Sequence, residues 1–443
     1  MGLWSVPNAC IPPLRLALET LALVLRNSLL CIAVGWLFSY CFTVGNVFTG
    51  LPPGQQSYAN FSAANIAWFY GVFSMCVVIL MATKLNILQC TAKLLVRVGP
   101  HLVLSSVIVV GGDFAMYSIV SASWHRFKPC VYIAAFWGFY IMVIADVFVR
   151  HIFQTETQTH HRRHWKPPFR RFLRIYARNL PVMLFVLIAI VYVHAISQFV
   201  SLQGQWELLA FASTSIVLKL LLQELAKHIL IATRRPVSRR VMVILVATPT
   251  ILVDTQVRML LLRQASTNVS VAGTVLLATF EIMVRAAKSF IVQRQTRGAP
   301  IPRDRFSTFD SARREAEELR KKRRVLHAAE IYSDMYAEYI AIGCSYGILF
   351  FYHDHPQFQF SLLLGDEAAG SEDTTAALQE RQMRSMSGLQ LGVEVVVDFL
   401  ACALEAAEGV EFKSFDQNDP FLVFFLALLS FANIAISAGL YMR

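Results

Sequence analysis

The sequence predicts an all-α fold, a polytopic helical membrane protein with ten or eleven transmembrane helices. Of the 443 residues, 56% are hydrophobic and only 16% are charged. The mean hydropathy is +0.51, well to the apolar side of soluble proteins. Apolar runs of roughly 20 residues, the length that crosses a bilayer as a helix, recur along the chain. They are too long and too uniformly apolar for the alternating strands of a membrane barrel.

The apolar runs fix the order of the predicted helices. Ten runs are long enough to cross the bilayer: 28–48, 64–83, 101–122, 130–150, 180–201, 206–231, 240–262, 270–292, 331–352 and 420–441. The segment 389–407 is an eleventh candidate, and its one-sided acidic face suits either a helix inside a bundle or an interfacial helix. With ten spans Arg443 lies on the cytoplasmic side, and with eleven it lies outside.

Four regions follow from this order. Pro12 and Pro13 are placed to begin a short amphipathic helix at the inner surface, since proline is tolerated in the first turn of a helix. The regions are a cytosolic lead-in segment, 1–27; an eight-span block, 28–293; a basic cytosolic linker and helix, 294–330; and a C-terminal membrane region, 331–443, with an acidic external loop at 353–387.

The distribution of positive charge predicts the orientation. The net charge is +11, and lysines and arginines concentrate in the segments after the second, fourth, sixth and eighth spans. Short cytoplasmic loops carry this excess in helical membrane proteins, so these loops and the N-terminus are predicted to lie inside. The two N-x-S patterns, at Asn60 and Asn268, fall in predicted outer loops, which makes the chain a candidate glycoprotein of the plasma membrane or an endomembrane.

A long helix is predicted after the eight-span block. The stretch from Ser307 to Tyr352 contains no proline, and one helix of about 40 residues would extend roughly 60 Å. This length exceeds the bilayer core, so the first half is expected in the cytosol and the second half forms the ninth span. Glu330, Asp334 and Glu338 repeat every fourth residue, an acidic stripe that we expect to meet Arg285 and Lys288.

Ionisable residues inside the apolar runs are the candidate functional residues. A charge at mid-bilayer costs on the order of 3 kcal/mol, so such residues face a protein interior or water. Several acids precede a base by three or four residues, as in Asp254 and Arg258, a spacing that favours an intrahelical pair. The candidates are Asp113, His194, Lys219, Glu224, Asp254, Arg258, Glu281, Arg285, Glu394 and Asp398.

Two interpretations of these charges remain open. In the first, acids and bases neutralise one another as buried pairs that fix helix packing. In the second, they line a hydrated path for a proton, ion or solute. The near-balance of sign argues against a pore lined by one sign of charge, and Pro249 adds a predicted kink in the seventh span.

The sequence therefore predicts a transporter or channel for a small solute or ion that it does not identify. The alternative is a non-transporting receptor or scaffold whose basic cytosolic face binds anionic inner-leaflet lipid or a cytosolic partner. An enzyme is not predicted, because no nucleophile motif, phosphate-binding glycine loop or complete set of metal ligands occurs. No cofactor, metal or nucleic acid is expected, and the oligomeric state is open.

Overall fold

A computed structural model describes residues 11–69, 107, 184–185, 187–189, 191–192, 205–232, 239–263, 267–297, 308–358, 372–407, 410, 420–439 and 441–442. Of these described residues, 92% are α-helical and none lies in a strand. The long helices are α1 (Ile11–Val44), α2 (Gln205–Ala232), α3 (Arg239–Arg263), α4 (Thr267–Arg297), α5 (Thr308–Tyr352), α6 (Glu372–Ala407) and α7 (Pro420–Gly439). Residues 58–69 are also helical.

Three helices are long and apolar enough to cross a membrane among the residues that the structure describes. They are Pro13–Thr49, Arg384–Ala407 and Leu422–Gly439. The second coincides with the segment 389–407, whose crossing the sequence left open. Length and composition therefore place membrane-spanning capacity near both ends of the chain.

Two helices differ in extent from their predictions. The lead-in segment 12–27 and the predicted first span join in the single helix α1, because no glycine or proline interrupts the chain after Pro13 until Gly35. Helix α6 begins at Glu372, inside the stretch 353–387 predicted as a polar loop. The residues that follow Glu372 lack proline, and an acidic first turn suits the positive end of the helix dipole.

The chain divides into two compact units. Unit 1 holds the described parts of Met1–Leu30, Leu208–Tyr346 and Ala368–Asp419. Unit 2 holds those of Cys31–Glu207, Gly347–Glu367 and Pro420–Arg443.

Helix α5 forms the centre of unit 1. The proline-free stretch makes one continuous helix of 45 residues, which confirms the long helix predicted from the sequence. From Leu326 to Ile342 every side chain of α5 is buried. Helix α3 is buried on all sides as well, from Leu245 to Val253, and continues through Pro249. A helix that is buried all round forms the core of a bundle.

The other helices of unit 1 are one-sided. Helix α4 buries Thr274, Ala278, Arg285 and Ser289 on one face, and its remaining described side chains are exposed or half-buried. Large apolar side chains stand exposed on α2, α4 and α6: Val217, Leu221, Leu225, Val275, Leu276, Phe280, Met283, Phe290, Ile291, Leu389, Leu391, Val396, Leu400 and Leu404. Soluble proteins rarely expose apolar patches of this extent.

Unit 2 is organised around aromatic packing and a capped helix end. The ring of Phe431 in α7 stacks on Phe42 and Phe69 and meets Phe38 edge-on. Helix α1 ends before Gly45, whose φ of 64° lies in the left-handed region that glycine tolerates best. A Cβ at this position would lie 2.3 Å from the Phe61 ring.

Candidate functional site

The candidate site is a network of buried charged side chains in unit 1, contributed by α2, α3, α4, α5 and α6. Helix α5 supplies Glu330, Asp334 and Glu338, which are 1–6% exposed. Residues four apart share a helix face, so the three carboxylates form one acidic row along α5. The neighbouring helices place bases and amides against this row.

The first member of the row, Glu330, lies between two lysines. Its Oε2 is 2.9 Å from Lys227 Nζ of α2, and its Oε1 is 2.8 Å from Lys288 Nζ of α4. Lys227 also contacts Glu224 at 2.6 Å, one turn before it in α2. Glu330 therefore joins α2 and α4 to the central helix through two ion pairs. The contact with Lys288 is also a charge-assisted hydrogen bond, a strong class.

An amide, a hydroxyl and an imidazole complete this end of the network. Gln223 donates from Nε2 to Asp334 Oδ1 at 2.6 Å and accepts from Lys288 Nζ at 2.9 Å. Ser289 Oγ and His327 Nε2 lie 2.9 Å apart. The amide of Gln223 thus links the second carboxylate of the row to the same lysine that binds the first.

The third member, Glu338, shares a lysine with another helix. Lys219 Nζ of α2 lies 3.1 Å from Glu338 Oε1 and 3.1 Å from Asp254 Oδ2 of α3. One ammonium group thereby ties α2, α3 and α5 together.

Two arginines connect the network to α6. Arg258 of α3 donates from Nη2 to Glu394 Oε1. Arg285 of α4 donates from Nη1 to Asp398 Oδ1 and, through Nε and Nη2, to both carboxylate oxygens of Glu405 at 3.4 and 3.2 Å. All five side chains are at most 6% exposed. The acidic face of α6 therefore lies against buried guanidinium groups.

Burial makes these contacts energetically demanding. Removing ions from water costs several kcal/mol each, which is recovered only where partners and hydrogen bonds are well placed. Some oxygens nevertheless lack a hydrogen-bond partner, among them Glu394 Oε2, Asp398 Oδ2 and the Tyr339 hydroxyl. The network is thus incompletely satisfied at the α5–α6 contact, and unsatisfied buried polar atoms of this kind call for a physical explanation.

The structure brings six of the ten predicted residues into this network. They are Lys219, Asp254, Arg258, Arg285, Glu394 and Asp398. Glu224 lies at its margin with 60% of its side chain exposed. Glu281 belongs to α4, but its side chain lies outside the described part of the chain, as do Asp113 and His194.

The partners differ from the predicted ones. Asp254 pairs with Lys219 of α2, and Arg258 reaches across to Glu394 of α6. Arg285 binds two acids of α6, and Lys288 meets Glu330 of the acidic row as expected.

Sequence reasoning missed other members. Glu330, Asp334 and Glu338 were visible as a row but not assigned to the site, and the signal was their four-residue spacing within a helix that also enters an apolar run. Gln223, His327 and Tyr339 carried no distinguishing pattern. Neutral side chains are common in helices, and only their neighbours show that they join a network.

Two segments of the chain contain closely spaced histidines, 160–164 and 353–355. His355 Nε2 donates to the Thr43 carbonyl at 2.8 Å, and its Nδ1 accepts from the Gln357 backbone N–H. His353 Nδ1 contacts the Asp354 carboxylate. The segment 160–164 lies outside the described residues. Within the described ranges no group of three histidine, cysteine, aspartate or glutamate side chains is arranged to hold a metal ion.

The buried carboxylates and bases could therefore serve proton transfer, ion binding or purely structural pairing. Comparisons with family models, with curated proteins and with solved structures found no match to this chain.

Proposed function

We propose that this protein is a multi-pass membrane protein that moves a small solute or ion, and that the charged network of unit 1 is where it does so. The observation that carries the proposal is the row of Glu330, Asp334 and Glu338 on a helix buried from all sides. Ionisable residues inside membrane helices are rare, face the bundle interior, and mark ion, proton or substrate pathways.

The exposed faces support a membrane setting for the same helices. Charged side chains such as Arg285 and Asp398 are buried in unit 1, while apolar side chains such as Leu221, Phe280 and Leu400 stand exposed on α2, α4 and α6. Hydrocarbon accepts such apolar faces at no cost, whereas water does not. This inside-out distribution of polarity is the one expected of a bundle in lipid.

The topology proposed for the whole chain keeps the eight-span block, 28–293, with its basic loops in the cytosol. Because Arg384–Ala407 is long and apolar enough to cross, eleven spans are favoured over ten. Arg443 then lies on the outer side of the membrane.

Flux measurements in proteoliposomes test the proposal. Sodium, potassium, chloride and a mixture of amino acids serve as probes, with currents recorded on a solid-supported membrane and radiolabelled uptake measured in parallel. Asp254→Asn removes one carboxylate from the pair on Lys219 and should lower the flux to background. Glu19→Gln, in an exposed pair with Arg15, should leave it unchanged. Asp113→Asn tests the second predicted acid.

The outcome against transport is equally specific. If folded wild-type protein gives no current and no uptake with any probe, or if both aspartate variants carry wild-type flux, the network is structural. Monodisperse elution in detergent shows that each variant is folded.

A receptor or scaffold is the second candidate function, favoured by the basic segment of α5. Lys321 and Arg324 stand exposed on this helix, just before its buried part begins at Leu326. Such a cluster attracts anionic lipid at about 1 kcal/mol per base. Reversing the charge of residues 320–324 should then abolish binding to phosphatidylserine vesicles added to the purified protein, and unchanged binding would count against this function.

A further inference from the structure

The contact between α4 and α6 contains more negative than positive charge around one base. Arg285 donates to Asp398 and to Glu405. With both carboxyls ionised, this group of three carries one surplus negative charge. All three side chains are at most 6% exposed. A buried, uncompensated charge is costly, and such groups usually become neutral instead.

The oxygens of the two carboxyls are used unequally. Both oxygens of Glu405 accept from the guanidinium, which is the fork geometry that stabilises an ionised carboxylate. Asp398 accepts on Oδ1 alone, and its Oδ2 has no partner. Of the two acids, Asp398 therefore has the oxygen available to carry a hydrogen.

Tyr339 provides an independent observation beside the same carboxyl group. Its side chain is 2% exposed, its hydroxyl has no well-formed hydrogen bond, and it lies beside Asp398. A phenol both donates and accepts. It can donate to the ionised carboxylate and accept from the protonated carboxyl, so it serves both states of Asp398.

The charged and titratable groups around Asp398 come from two helices besides its own. Helix α4 contributes Arg285, and α5 contributes Glu338 and Tyr339. On α6 itself the neighbours are Glu394, Cys402 and Glu405, and Glu394 in turn binds Arg258 of α3. Glu338 and Glu394 add negative charge around Asp398, and Arg285 adds positive charge.

We propose that Asp398, held by Arg285 and faced by Tyr339, is a proton-binding site, and that gain and loss of this proton is coupled to solute movement. This rests on the proposed transport function. One proton passes from water to Asp398 Oδ2, forming an O–H bond, and leaves by the reverse step. Charge around Arg285 is balanced in the protonated state, because Glu405 alone remains ionised.

Infrared difference spectroscopy of the full chain in lipid nanodiscs tests this site directly. Spectra at acidic and alkaline pH should differ by the C=O stretch of a protonated carboxyl in a dry environment. Asp398→Asn should remove this band. Tyr339→Phe should retain it but shift its frequency, because the polar hydroxyl beside the carboxyl is removed. Glu19→Gln, an exposed acid of α1, should leave it unchanged.

Three outcomes overturn the proposal: no protonated-carboxyl band in the wild type, a band that persists in folded Asp398→Asn, or a band abolished at constant pH when sodium replaces choline. The third result would assign the site to a metal cation. Flux and infrared readouts separate the two proposals. Flux without the band removes only the proton site, and the band without flux removes only transport.

Discussion

The guanidinium of Arg285 holds two buried carboxylates, and its loss should cost more than any surface pair. Arg285→Met leaves Asp398 and Glu405 without their cation, and breaking one side of a buried pair costs about 3–5 kcal/mol. Arg15→Met is the matched control, because Arg15 and Glu19 pair at the surface with 78% and 48% of their side chains exposed. Exposed pairs contribute about 0–1 kcal/mol.

Unfolding by titration with dodecyl sulfate measures both changes. The Arg285 variant should unfold at a clearly lower dodecyl sulfate fraction than the wild type. The Arg15 variant should unfold at nearly the same fraction as the wild type. Equal effects would show that the buried contacts contribute no more than a surface pair.

His355 is predicted to make the stability of unit 2 depend on pH. Burial lowers the pKa of His355 below its ordinary value, and only in part does the hydrogen bond to Thr43 oppose this. The unfolded imidazole takes up a proton below about pH 6.5, while the folded one stays neutral. Stability is therefore complete above this pH and is lost as the pH falls toward the folded pKa.

Thermal unfolding across the acid range checks the direction. His355→Gln should flatten the acid-side fall in the midpoint, even if it lowers the midpoint at every pH. His353→Gln keeps His355 and both of its hydrogen bonds, so its acid-side fall should persist. A wild-type slope in the His355 variant would assign the fall to other groups.

At the scale of the helices, close approach in unit 2 depends on Gly347 of α5. A Cβ there would lie 2.5 Å from Trp36 Nε1 and 2.8 Å from its Cδ1. Gly347→Ala should therefore destabilise the protein by about 1–3 kcal/mol, the usual cost of overpacking. Gly392→Ala in α6 meets nothing within 4 Å and should stabilise by up to about 1 kcal/mol, because alanine favours helix.

Thermal unfolding of both alanine variants is measured in the same detergent. We expect Gly347→Ala to lower the midpoint temperature and Gly392→Ala to raise it. A neutral Gly347 variant would mean that α1 and α5 adjust without cost.

The helices also show which structural features could be predicted from the sequence and which could not. The length of α5 was predictable because only local features set it, namely the absence of proline from Ser307 to Tyr352. The acidic faces of α5 and α6 were readable from spacing, since 3.6 residues complete a turn. The partners of Arg258 and Arg285 could not be predicted from the sequence. Periodicity shows which face of a helix is polar, but it does not show which other helix packs against that face. Tertiary contacts between distant segments decide that choice.

At the scale of the whole molecule, the decisive prediction concerns the side on which each C-terminal segment lies. A cysteine is introduced at one position at a time, 370, 409 or 443, and labelled from outside in intact cells. Labelling of the native chain, which has eight cysteines of its own, is measured in parallel and subtracted. Because α6 contains the candidate span Arg384–Ala407, labelling is expected at 370 and 443 and not at 409. This pattern establishes eleven spans.

The contrary pattern has a definite meaning. Labelling at 370 and 409 but not at 443 would make α6 a helix on the outer surface and leave ten spans. The acidic face of α6 would then lie outside the hydrocarbon, and this result would favour the receptor function over transport.

The order of the charges along the chain bears on how the protein is made. The cations Lys219, Lys227, Arg258, Arg285 and Lys288 all precede the carboxylates that they bind on α5 and α6. A ribosome therefore delivers the basic helices first. In the proposed membrane setting, the acidic row of α5 emerges when its counter-charges have already been made, and we expect α2 to α4 to stay together until α5 and α6 can pair with them.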